Sequence, residues 1–230
     1  MSDPYAYTML IASLPRHSAL FAATRTPINR VKLERRLRVL APEDRAILGR
    51  VESVMQWRHL SMFLDDAGFL AQVRTALQQI ENETLRLVIR DRLEIRTCVA
   101  ALRRRQRGET AAPRGAWGFG RWLGHMARNW NEPAFRLEGV FPWLREAERL
   151  MRARETIQLE RLILQQVWTN LARHGSGHEF DFEAVVIYVL RWNVIERWTK
   201  YDGAAAVARF DALVEAALGA HAEMFAEGAG

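Results

Sequence analysis

Residues 180–202 (FDFEAVVIYVLRWNVIERWTKYD) constrain this chain more than any other stretch. Asp181 is a capping residue at the entry, and Gly203 follows as a stop signal. Between them Val185, Val186, Ile187, Val189, Leu190, Trp192, Val194, Ile195 and Trp198 fall nearly all round a helix of ordinary pitch. A helix that is apolar on every side must be enclosed by other elements. The remainder of the chain therefore has to supply several helices with apolar faces turned inward.

It supplies them. Thr26-Pro27 reads as a helix start, with Ile28, Val31, Leu33, Leu37 and Leu40 toward one side and Pro42 opening the next helix. Asn82 is placed to cap a long helix to about Arg107. Further helices are expected over 121–130, from near Pro142, over 155–173 and over 204–221. The opening residues 5–14 are apolar and aromatic and end at Pro15; with no strand to pair with, an extended segment lying on the bundle is expected. Strand signals are nearly absent beyond this point. The expected fold is all-α, built of antiparallel helical hairpins. Residues 108–120 hold Gly108, Gly115, Gly118, Gly120 and Pro113, so they are expected to form an exposed connection or hinge between a unit at 1–107 and one at 121–230.

The net charge is +6, and apart from Lys32 and Lys200 the cations are arginines. Arginine suits bidentate pairing with carboxylates or phosphates at interfaces. Two concentrations stand out, one at Arg35, Arg36 and Arg38, the other at Arg103, Arg104, Arg105 and Arg107. Each would suit an acidic protein, a lipid head-group or nucleic acid. A tryptophan-rich stretch follows, in which Trp117 precedes Trp122, Met126 and Trp130 at four-residue spacing. It is either a core face or an exposed ridge that docks onto a partner.

Catalytic signals are missing. Cys98 is the sole cysteine and lies in an apolar helical pattern, which excludes an internal disulfide and suits a buried thiol. Gly118-Phe-Gly120 lacks the strand and the third glycine of a nucleotide loop. His174, His178 and Asp181 have metal-like spacing, but Gly175 and Gly177 interrupt the helix that would align the imidazoles, so a polar turn is expected. Asp65 and Asp66 are adjacent, point apart on a helix, and read as a solvated helix end. No catalytic, metal or cofactor residue is expected. With no apolar run long enough to span a bilayer and no basic leader before the first apolar segment, a cytoplasmic location is expected.

Two blocks carry a resemblance. The first is the opening at 7–15; the second runs from about 148 to 217 and includes a His/Gly turn, Phe180-Asp-Phe-Glu, Tyr188 and Leu190, then Glu196-Arg197-Trp198 with Asp202 beyond. In these blocks the chain resembles a bacterial family of uncharacterised proteins associated with V/A-type ATPases, similar to a shortened form of the C/d component of the V-type ATPase central stalk. The resemblance implies an all-helical, non-catalytic subunit or assembly factor. It would couple the central shaft to the membrane rotor ring during ion transport, peripheral on the inner membrane through the complex. Its partners would be shaft and ring subunits, with lipid head-groups as a further contact. Glu196, Arg197 and Trp198 would then be scaffold, the first two as an internal ion pair. Two readings from other classes stand beside this one: an arginine-rich nucleic-acid-binding protein, and a helical adaptor docking through the 117–130 ridge.

Overall fold

The computed structural model describes residues 5, 7–55 and 66–201, and among these every regular element is helical. In chain order the α-helices are α1 (Thr8–Ser13), α2 (Arg30–Leu37), α3 (Pro42–Met55), α4 (Asp66–Gln79), α5 (Glu83–Gln106), α6 (Leu123–Arg128), α7 (Leu144–Arg152), α8 (Thr156–His174) and α9 (182–201). Short 3-10 turns occur at Leu20–Ala22 and Pro133–Arg136. The expected helix at 204–221 lies outside the described residues.

α9 is enclosed on most sides, as its composition requires: Val185, Val186, Val189, Trp192 and Ile195 are fully or almost fully buried. Its polar atoms fasten it to distant parts of the chain. The Trp192 indole donates to the Ile28 carbonyl at 2.7 Å, and the Tyr188 hydroxyl donates to the Pro15 carbonyl at 2.8 Å. At its start the Asp181 carboxylate accepts the Ala184 N–H at 2.9 Å, the cap expected from sequence. α5 is the second axis and packs against α3, α7 and α8. Asn82 caps it by accepting the Leu85 N–H at 3.0 Å.

Several expectations need correction. Residues 8–13 form a helical turn and not an extended segment; Thr8 donates its hydroxyl to the Tyr5 carbonyl, and the Tyr7 N–H is held by the Phe180 carbonyl at 3.1 Å. α2 begins at Arg30 with Asn29 as its cap, because Asn29 accepts from the Lys32 N–H at 2.8 Å; Thr26-Pro27 lies before it. Asp66 opens α4 where a helix end had been expected. Asp65 lies outside the described residues.

Residues 108–116 are largely exposed, as expected of a connection, while 117–120 pack on α5 and make the stretch a strap and not a free hinge. Phe119 donates its N–H to Thr97 at 2.9 Å, and the Trp130 indole reaches back to the Glu109 carbonyl at 2.7 Å. Gly120 adopts φ +112°, and a Cβ there would meet Glu94 Cγ at 2.5 Å, so this position requires glycine. Buried side chains from 10–102 and 117–198 belong to one continuous cluster among the described residues, so the two halves share a core.

Candidate docking surface

The tryptophan stretch resolves largely into core. Trp117 and Trp130 are buried and meet edge to face, with centroids 5.7 Å apart, and Trp130 also packs on Phe135. They are therefore not available as partner contacts, because the strap closes over them onto α5. Trp122 is half-buried and packs near Phe141. The four-residue spacing suggested a single helix, but α6 is only six residues long and Trp130 lies in the turn beyond it.

Arg105 is also internal. Its guanidinium donates to the Trp130 and Glu132 carbonyls at 3.0 and 2.6 Å, lies over the Phe135 ring, and stands 2.7 Å from the buried Glu148 carboxylate. Glu148 in turn accepts the Ala134 N–H at 2.9 Å and pairs with Arg152. These contacts hold an unusual turn: Ala134, Phe135 and Arg136 take φ of 45°, 54° and 55° in succession. Each left-handed residue costs about 1–2 kcal/mol, so the turn persists only while its anchors do.

The other arginines divide by surroundings. Arg35 and Arg38 are exposed, while Arg36 donates to the Ser13 carbonyl and ties α2 to α1. Arg104 faces Glu109 at 3.4 Å, and Arg107 is exposed at the end of α5. Arg103 is half-buried, and burial holds its guanidinium below the usual arginine range.

The Glu196-Arg197-Trp198 triplet does not hold the ion pair expected of it. Glu196 pairs with Lys200 at 2.9 Å, and Arg197 reaches across to Glu160 of α8 at 2.8 Å, so the two do not pair with each other. Trp198 is buried edge to face against Phe21, at 5.1 Å.

The histidine turn divides as the glycines require. His174 joins Asp91 at 2.8 Å, and His178 joins Asp181 at 2.6 Å. Glu183, which sequence spacing did not single out, completes a His178, Asp181 and Glu183 group with ligand atoms within 4.8 Å of one another. Their atoms are already committed: Asp181 caps α9, and Glu183 accepts from the Asn82 amide at 2.6 Å, tying the caps of α5 and α9 together. The Cys98 thiol is buried, which pushes its pKa well up and disfavours the reactive thiolate.

The feature that sequence could not reveal is a cavity of about 460 Å³ where the ends of α5, α7 and α9 meet the start of α8. Its floor includes the buried Leu150, Leu159 and Ile163. Arg103, Arg154 and Arg197 line it, with Glu160 as the sole carboxylate among the lining residues. A second cavity of about 220 Å³ also touches Gln106 and Met151, which are hydrogen-bonded to each other at 2.7 Å, and is lined by Arg105, Arg152 and the Glu148 carboxylate that pairs with both. Arg154 occupies the left-handed position that ends α7, at φ 58°. There Glu155 N–H returns to the Leu150 carbonyl and Arg154 N–H to the Met151 carbonyl. This closing turn usually carries glycine.

Comparison with protein-family profiles, curated proteins and solved structures finds no match to the chain.

Proposed function

We propose that this chain is a non-catalytic docking component of a V/A-type rotary ATPase, acting as a peripheral subunit or assembly factor between central shaft and rotor ring. The observation that carries this reading is the arginine-lined groove with an apolar floor at one end of the helical bundle. Such a surface suits an acidic protein partner, since guanidinium groups bind carboxylates bidentately while buried apolar area supplies affinity. The resemblance of 7–15 and 148–217 to the ATPase-associated family supplies the identity of the complex. A close-packed helical core also suits a part that transmits force, because such interiors compress little. No described helix is long and apolar enough to cross a membrane, so attachment through the complex fits.

Pull-down of the tagged full chain from cells expressing the ATPase tests this. Shaft or ring subunits should co-purify at moderate salt and be lost at high salt. Absence of every ATPase component from the eluate would overturn the assignment.

A further inference from the structure

We infer that the groove at the ends of α5, α7 and α9 receives an acidic amphipathic helix of a partner protein, with Arg154 as the rim residue that selects its charge. This deepens the docking reading and rests on it for the class of partner.

The argument begins at Arg154. Its backbone takes the left-handed conformation that glycine fills most readily, so the fold alone favours glycine there. Its side chain is exposed and makes no hydrogen bond or ion pair with a described residue. A strained position that carries a charge without an internal use points outward, to something the charge meets. Arg154 is among the residues lining the 460 Å³ cavity, as are Arg103 and Arg197. Glu160, the carboxylate in that lining, already accepts from Arg197.

The pattern of the lining argues for an acidic amphipathic segment. The larger cavity has an apolar floor at Leu150, Leu159 and Ile163 and three arginines against one carboxylate in its lining. An amphipathic helix presents the complementary pattern, apolar residues at i, i+3, i+4 and i+7 bordered by carboxylates. Like-charge juxtaposition would reject basic helices.

The probe is a fluorescein-labelled synthetic helical peptide with leucines on one face and glutamates on its borders, set against the same peptide with lysines. Anisotropy titration uses the full chain at low salt. Only the glutamate peptide should bind, and Arg154→Gly should weaken it about three- to tenfold. The same substitution should raise the melting temperature by about 2–4 °C, so weaker binding cannot come from unfolding. Equal binding of both peptides, or binding indifferent to Arg154→Gly, would overturn the inference. So would displacement of the glutamate peptide by phosphatidylglycerol vesicles or a short DNA duplex whose own binding needs Arg154. Self-association that disappears in Arg154→Gly would instead assign the groove to a second copy of the chain and overturn it too. Because the peptide assay contains no ATPase component, its failure is separable from failure of the co-purification.

Discussion

Glu148 is the point at which one substitution tests most of the local reasoning. Its carboxylate is buried and meets Arg105 at 2.7 Å, while its other oxygen takes the Ala134 N–H at 2.9 Å. Glu148→Ala would leave Arg105 as a largely buried cation without its counter-charge, a loss worth about 3–5 kcal/mol. It would also orphan the Ala134 amide, a further 1–3 kcal/mol or so if no water replaces the oxygen. Relaxation of the left-handed turn would return part of this, since three such residues carry about 1–2 kcal/mol each. The net expectation is a loss of about 3–4 kcal/mol, or roughly 10 °C in melting temperature for a chain of this size. Urea unfolding followed by tryptophan fluorescence reads it directly, because Trp130 belongs to the same cluster. Glu148→Gln keeps the acceptor for Ala134 and loses the charge, so it should fall between wild type and alanine. Arg152→Ala removes the exposed partner, whose side chain is 73% accessible, and should cost under about 1 kcal/mol. If Glu148→Ala loses less than about 1 kcal/mol, or no more than Arg152→Ala, the anchoring account is wrong.

Other expectations follow from the same structure. His17 stacks on Tyr188 at 4.1 Å, and burial together with the Arg191 charge lowers its pKa from 6.5 to about 4. The unfolded chain therefore takes up the proton first as pH falls. Stability is complete above pH 6.5 and drains away toward pH 4; between pH 7 and 5 the loss should be about 2 kcal/mol. Urea midpoints across that range should show it, and His17→Phe should flatten the dependence; identical slopes in both proteins would contradict the burial argument. Gly120→Ala combines a φ of +112° with a Cβ clash on Glu94, so thermal unfolding should register a loss of about 2 kcal/mol or more. By contrast Arg35→Glu with Arg38→Glu alters exposed positions and should shift stability by no more than about 0.5 kcal/mol. The pair should nonetheless reduce recovery of acidic partners in a pull-down if α2 contributes to docking; unchanged recovery would confine docking to the groove.

Helix content was legible from the chain because periodicity and caps are local properties. Asp181 and Asn82 cap the helices that their positions predict, and the all-round apolar pattern of 182–201 required enclosure. Charge and exposure at Arg35 and Arg38 were likewise readable. The strap at 108–120 was not: its glycines suggest freedom in sequence, yet Gly118 and Gly120 allow close approach to Thr97 and Glu94 on another element. Trp117 and Trp130 were ambiguous because an aromatic face serves a core or an interface equally well, and only the closing of that strap decides between them. Arg105, from the 103–107 run, turns inward to Glu148, whereas Arg154 stands exposed on the left-handed turn that ends α7. Sequence determined the all-helical class and the long helices at 83–106, 156–174 and 182–201, since those follow from residues three or four apart. Tertiary structure alone decided which arginines are anchors and which line a groove, because that depends on elements far apart in the chain meeting at one place.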